Sequence, residues 1–535
     1  MSRLRTSRLA PLAAAAAAAA FFCVCTLTAI DRPGLQYDET AFVNAALGAE
    51  HPDQHFVHAR FHGVVTKIFP YIGALKSWIY RPIFGAFGVS METIRIPAVL
   101  MALLAIALAF RLAWRLFGPW PAALLAVVLA TDPVYPTMAK ADWGPIVVGS
   151  LLRVVALLAY FALLRTRSLR YAWLLAAALL LGIFNKIDFV WFVAALGAAA
   201  LIVHWRELWG IVRSRPLAAA APTAVFAGVL AFMAVRSILP ARQIASPSQA
   251  DTLGERWDHR WQLFTQTFDG EGLFGYMVGL SFDAQTPAPD LIVGAVAMAL
   301  VAIVLALVLR DRFPREETRI AAFFLIQFAV IAAFIVGTRQ VGGSHHVIQL
   351  WPIPQLLIVS LVVVLWRLRP RPLRLATTAA ALALLAWLAA AQVTATREYV
   401  EAFRDGDHFV YVWTPEIYAA ADRAGSLAGD VDGVVAADWG IGPQVFALNG
   451  DPVRERFVDA PNQFQPAGPA PPPGTELLRG KRVVVLFHRD EWEVFPGTSR
   501  GVRAAIHALG PGTRVTDLYG GEVLRAYLVD DRAPG

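Results

Sequence analysis

Cysteine is almost missing from this chain of 535 residues: only Cys23 and Cys25 occur, both inside the first apolar run. No disulfide framework, zinc-finger spacing or thiol redox pair is available to it. Charge is also scarce, at 16% of residues, where a soluble domain carries about 25%. Apolar residues make up 57% of the chain and the mean hydropathy is +0.53, a composition that would aggregate in the cytosol. Lysine is rarer still, with five among 47 basic residues, and together with the alanine richness this suggests a GC-rich bacterial genome. The net charge of +7 does not point to nucleic acid, because the basic residues lie between apolar runs and form no single patch.

What the chain does have is long apolar runs. Eleven approach the roughly 20 residues that a membrane helix needs, at about 9–30, 96–117, 120–137, 144–164, 170–185, 189–204, 217–238, 290–309, 320–337, 347–366 and 373–392. The first follows Arg3, Arg5 and Arg8 and exceeds the usual core of a cleaved leader, so it reads as an uncleaved anchor. With the amino terminus inside, alternate loops collect 19 arginines and only four acidic residues, about +15, while the rest of the chain sums to about −8. Short loops rich in arginine stay cytoplasmic. This predicts a bacterial inner-membrane protein with a cytoplasmic amino terminus and an extracytoplasmic carboxyl-terminal domain.

The outer side then carries the long, irregular segments: loops at about 31–95, 132–143, 239–289 and 338–346, and a tail after residue 392. Long loops carry function more often than short connectors. The expected organisation is an α-helical polytopic membrane module over 1–392 and a small α/β domain over 393–535. In the tail, helices are predicted near Pro415–Leu427 and Arg500–Leu509, and strands near Gly433–Ala437, Arg482–His488 and Glu522–Val529. Gly440 and Gly442 lack the third glycine of a nucleotide fingerprint.

The candidate site residues come from these outer loops. Asp38 and Glu39 stand a few residues beyond the first span, where Asp38 reads equally as a helix N-cap or as a carboxylate able to take a proton from a hydroxyl. Asp142, in Asp142-Trp143-Gly144-Pro145, reads as a cap, as an ion-pair partner of Lys140, or as a second acid facing Asp38. Lys186 follows Asn185 between two short spans, where a lysine that only snorkels is the plain alternative to a functional one. Arg339 precedes glycines, a serine and His345-His346 at a helix start, a pattern suited to a phosphate. Lys67, Lys76, Lys140 and Lys186 lie in outer loops and Lys481 in the tail, whereas every inner-loop base is arginine, which hints at point-charge contacts to phosphate. His51, His55, His58 and His62 recur at helical spacing and would hold a divalent metal only on a continuous helix, which Pro52 and Gly63 oppose.

Taken together, Asp38-Glu39 after the first span, residues 67–78 with Pro70-Tyr71-Ile72-Gly73, Asp142-Trp143-Gly144-Pro145, Asn185-Lys186 and the outer carboxyl-terminal domain resemble the GT-C glycosyltransferases. The chain is most similar to family 39, the protein mannosyltransferase-like group, and to the related aminoarabinose transferases. The resemblance implies inverting transfer of a sugar from a polyprenyl phosphate to an acceptor hydroxyl of a lipid, glycan or protein, without a required cofactor. It assigns Asp38 as base; Glu39 and Asp142 are further catalytic candidates, Asp142 as a second acid orienting acceptor or base. Lys67, Lys186, Arg339, His345 and His346 are the candidates for the donor phosphate. Ile72 stands where family members often have proline, and the tail is no recognisable sugar-binding repeat. Two other classes fit the hydropathy: a transporter or lipid-carrier flippase, and a non-catalytic membrane scaffold.

Overall fold

The computed structural model describes residues 2–48, 59–238, 253–278, 291–308, 315–338, 343–368, 371–405, 409, 413–465 and 470–532. The first helices are α1 (Ser2–Leu27), α2 (Tyr37–Leu47), α3 (Leu75–Phe87), α4 (Met91–Phe117), α5 (Pro119–Thr131), α6 (Val134–Lys140), α7 (Ile146–Thr166), α8 (Arg170–Asn185), α9 (Val190–Ser214) and α10 (Pro216–Met233). Helices at Leu253–Phe268, Glu271–Val278, Leu291–Val308, Arg315–Gly337 and Arg371–Asp405 follow, with Ser344–Trp366 as a further span.

All eleven apolar runs are helical, but among the described residues eight helices are long and apolar enough to cross a membrane, or nine with one bent pair. The third run breaks by 60° between α5 and α6, because the Asp132 carboxylate accepts the Val134 and Tyr135 N–H groups at 2.9 and 3.1 Å and starts a new helix. The fifth, α8, has only 16 residues. The last helix runs unbroken from Arg371 to Asp405, beyond the end of its apolar stretch.

The bundle closes around Ser344–Trp366, which is buried throughout its most apolar window. Ala98, Ala102, Ala105 and Ala109 form a fully buried stripe on α4, and such small residues let helix backbones approach closely. Arg153 on α7 is buried and donates to the Trp351 carbonyl at 2.9 Å, Gln349 Oε1 at 2.6 Å and Ser150 Oγ at 2.9 Å, so it ties α7 to the start of the Ser344–Trp366 span. The chain is a multi-pass membrane protein.

Above the bundle, β1 (Ala59–Phe61), β2 (Val64–Phe69) and β3 (Ile72–Gly73) form an antiparallel sheet. Ile72 also bridges to Lys186, and the Ile187 N–H donates to the Tyr71 carbonyl at 3.0 Å, so the first outer loop is pinned to the α8–α9 turn. A Cβ on Gly73 would meet the Phe184 carbonyl oxygen at 2.1 Å, which only glycine avoids.

The tail folds into a five-stranded sheet, β4 (Gly433–Ala436), β5 (Phe457–Asp459), β6 (Arg482–His488), β7 (Arg514–Gly520) and β8 (Leu524–Asp530), in the order β5-β4-β6-β8-β7. β4 runs parallel to β5 and β6, while β8 is antiparallel to β6 and β7. The helix Glu416–Leu427 contributes to the core that this domain shares with the membrane module, and Thr498–Leu509 packs in a separate core of the domain. In the shared core, Leu35, Val43, Tyr80 and Ile94 pack with Ile417, Val445, Phe446 and Leu524. Asn44 Nδ2 donates to the Pro443 carbonyl at 3.1 Å, and the Gly34 N–H to the Trp413 carbonyl at 2.7 Å.

Candidate active site

A cavity of about 270 Å³ lies where α2, the β2–β3 turn, the 143–146 loop, Lys186, His345-His346 and Trp439 converge. Asp38 lines it from the first turn of α2. The helix cap is Gln36 and not Asp38: Gln36 Oε1 accepts the Asp38 N–H at 2.7 Å, and Glu39 returns a carboxylate oxygen to the Gln36 N–H at 3.3 Å. Relieved of capping, the Asp38 carboxylate accepts the Trp143 indole N–H at 2.9 Å. Trp143 is itself packed between Tyr276 and His345, with ring centroids 5.8 and 5.4 Å away, and meets Trp413 edge-on at 5.1 Å.

Glu39 is buried elsewhere. Its carboxylate pairs with Arg95 through Nε at 2.7 Å and Nη2 at 3.0 Å, and Arg95 also donates to the carbonyls of Ile30, Pro33 and Gly34. This neighbour of Asp38 ties the connector after α1 to α4 and does not line the cavity.

Asp142 also sits behind the cavity wall. Its partner is Lys76 on α3, with Nζ at 2.8 Å from Oδ2, and Lys76 further donates to the carbonyls of Asp142 and Gly144 at 2.9 and 2.8 Å. Lys140 instead donates to the Thr28 carbonyl. Tyr80 donates its hydroxyl to Asp142 Oδ2 at 2.7 Å. Burial pushes the Asp142 carboxyl up to about 7 against the opposing pull of Lys76. Asp142 adopts a left-handed backbone at φ +44°, followed by Gly144 at φ +57°, and this turn carries Trp143 towards Asp38. Asp142 is thus a positioning residue for the loop.

On the other side of Trp143, Lys186 Nζ pairs with Asp188 at 3.0 Å and lies 3.5 Å from His346 Nδ1. Gln349 Nε2 donates to Asp188 Oδ1 at 2.9 Å, and Gln349 in turn accepts from Arg153. An ammonium group has three donors, so this pairing orients Lys186 and leaves it able to meet an oxygen in the cavity. His345 and His346 line the same wall. Tyr71 lies across from them, its phenol pushed up by burial and then by the carboxylates of Asp38 and Asp188.

The structure therefore brings Asp38, Lys186, His345 and His346 together. Lys67 does not join them; it lines a neighbouring small cavity with Tyr71 and Phe184, and its Nζ donates to the Arg236 carbonyl at 3.3 Å. Arg339 and three of the four clustered histidines, His51, His55 and His58, fall outside the described residues, and His62 is exposed. Among the described residues no group of three or more His, Cys, Asp or Glu is placed to hold a metal ion. Sequence reasoning missed Arg95, Asp188 and Trp439, and it read Lys76 as a phosphate contact where the structure pairs it with Asp142. Lys76 and Arg95 stand in apolar helical context as lone cations, a signal for buried pairing; Trp439 has no local signal.

The chain shares its fold with solved structures of ArnT. Residues 73–233, under a third of the chain, match the family model of the dolichyl-phosphate-mannose-protein mannosyltransferases. Among solved structures, ArnT from Cupriavidus metallidurans in the apo state is similar at TM-score 0.57 and 13% identity, over 98% of this chain and 99% of that one. The same protein bound to undecaprenyl phosphate gives 0.55 and 14%, again over 98% and 99%. The arabinofuranosyltransferase AftD from Mycobacteria gives 0.51 and 17%, over 98% of this chain but 40% of that one. No curated protein sequence matches the chain.

Proposed function

We propose that this protein is a membrane glycosyltransferase that moves a sugar from a polyprenyl-phosphate-linked donor to an acceptor hydroxyl at the outer membrane surface, inverting the anomeric centre. The observation that carries the reading is the cavity in which a carboxylate, Asp38, shares one wall system with Lys186 and the His345-His346 helix start. The fold it shares with ArnT, a protein solved with undecaprenyl phosphate, supports a lipid phosphate as leaving group.

In this scheme the acceptor oxygen attacks the anomeric carbon while Asp38 takes the hydroxyl proton. The bond from that carbon to the phosphate oxygen breaks, and the phosphate leaves with the electron pair. A phosphate leaves best beside cations and needs no acid. Lys186, oriented by Asp188, meets the departing charge, and His345 and His346 complete that wall. Trp143 fixes the Asp38 carboxylate through one oxygen, leaving the other to receive the proton. The arginine-rich alternate loops support an extracytoplasmic position for this cavity. A transporter would need ionisable groups along a path through the bilayer, whereas Arg153 is already committed to Trp351, Gln349 and Ser150.

The test is to reconstitute the full chain in lipid, supply polyprenyl-phosphate-linked hexoses and pentoses with mixed cell-envelope acceptors, and measure released polyprenyl phosphate. Release that depends on Asp38 is expected. No release from any donor, with intact protein, would overturn the reading.

A further inference from the structure

Among the described residues, Trp439 is the one residue of the carboxyl-terminal domain in the wall of the Asp38 cavity. Its ring stacks on Tyr37 with centroids 4.7 Å apart, and Tyr37 immediately precedes Asp38. We propose that Trp439 is the platform for the acceptor and that the acceptor is a saccharide, whose ring packs on the indole while a hydroxyl reaches Asp38. The proposal deepens the glycosyltransferase reading and rests on it.

Three features support a built site. Trp439 follows the carboxyl end of β4, which lies between its parallel neighbours β5 and β6. Ligands of open α/β sheets are met at the carboxyl ends of such strands, so the domain turns its ligand-facing edge to the cavity. Next, the loop is held by a fully buried carboxylate. Asp438 accepts the N–H groups of Trp439 at 2.8 Å, Val494 at 3.0 Å and Phe495 at 3.2 Å, and pairs with His488 Nδ1 at 2.8 Å. Burying a charge is costly unless it is fully partnered, and four partners converge here to fix the tryptophan. Gly440 then turns the chain away at φ +84°.

The third feature is the order of contacts along the wall. It runs from Trp439 to Tyr37, then Asp38, Trp143, His345, His346 and finally Lys186. Asp38 thus lies next to the Trp439 end of this series, where an acceptor hydroxyl needs its base, and Lys186 lies at the far end, where a departing phosphate needs its cation. Six of the fourteen lining residues are aromatic. An aromatic face carries partial negative charge and complements the slightly positive C–H face of a pyranose or furanose ring, leaving hydroxyls free for polar partners. An extended peptide would instead need a row of backbone partners.

The experiment uses the full chain in nanodiscs with the methyl glycosides of glucose, galactose, mannose and arabinose, read by saturation-transfer NMR from aromatic protons to sugar C–H groups. Wild type should show transfer to at least one glycoside. Trp439→Ala should reduce it at least five-fold and Trp439→Phe should keep most of it, with undecaprenyl phosphate affinity and thermal midpoint unchanged in both. If Trp439→Ala does not fold, the same loss is required of Trp439→Leu. No transfer from any glycoside, equal transfer in the variants, or displacement of the glycoside by an undecaprenyl-phosphate-linked sugar would overturn the proposal. So would transfer to a threonine peptide in place of the sugars. Failure of undecaprenyl phosphate to bind the wild type would sink the donor reading separately.

Discussion

Asp38 and Glu39 are adjacent carboxylates with different surroundings, and exchanging each for its amide separates chemistry from architecture. In Glu39→Gln the buried Arg95 guanidinium loses its only carboxylate among the described partners but keeps three carbonyls, those of Ile30, Pro33 and Gly34. Removing one member of a buried pair costs about 3 to 5 kcal/mol. The three carbonyls and the amide oxygen put the cost near the lower figure, about 3 kcal/mol. Asp38→Asn loses no ion pair among the described residues: the amide oxygen still accepts from Trp143, and the backbone cap through Gln36 is untouched. Its stability should change by less than about 1 kcal/mol, whereas turnover should fall at least about 100-fold, the low end for general base catalysis. The assay pairs denaturant unfolding of each variant in nanodiscs with release of polyprenyl phosphate per folded molecule. A Glu39→Gln protein as stable as wild type but inactive would refute the division of labour, and so would an active Asp38→Asn.

Further outcomes follow from the same geometry. Lys186→Ala should weaken transfer by roughly 2 to 4 kcal/mol if the site excludes water, and Lys186→Arg should restore only part, because a planar guanidinium does not replace a compact ammonium beside Asp188; single-turnover rates and undecaprenyl phosphate affinity measure both. Because the folded-state Asp142 carboxyl is raised to about 7 by burial, the folded protein holds a proton there that the unfolded chain releases near pH 4. Its contribution to stability is therefore present at acid pH and lost as pH rises towards 7. Thermal midpoints between pH 5 and 8 should show that slope in wild type and lose it in Asp142→Asn; equal slopes would count against it. Cysteines introduced at Ser168 should be shielded from an impermeant thiol reagent in intact cells and those at Gly450 should label; the reverse pattern would put the cavity in the cytoplasm.

The spans were legible because membrane helices announce themselves as apolar runs, and β6 because Val483, Val484, Val485, Leu486 and Phe487 form one buried stretch. The edge strand Arg514–Gly520 escaped, since its residues are largely exposed and carry no apolar alternation. The helix past Gln392 escaped for another reason: Thr396, Tyr399 and Phe403 are buried by tertiary contacts, which local composition does not show. Asp38, Lys186 and the paired histidines were readable as ionisable residues near span ends. Their supports were not. Lys76–Asp142 and Arg95–Glu39 join residues 66 and 56 positions apart, and nothing in either local segment names its partner.

The core shared by α2, α3 and the carboxyl-terminal domain sets an order of events during synthesis. Asn44 meets Pro443 across 399 positions of chain. At about 5 to 20 residues per second, the helix bearing Asp38 emerges some 20 to 80 seconds before the surface that will cover it. Until the tail is made, Leu35, Val43 and Tyr80 lack the tail residues they pack against. A nascent or prematurely terminated chain can thus fill the membrane with helices while its base remains unplaced. In the proposed scheme the site is complete only when the carboxyl-terminal domain has closed over the first loop.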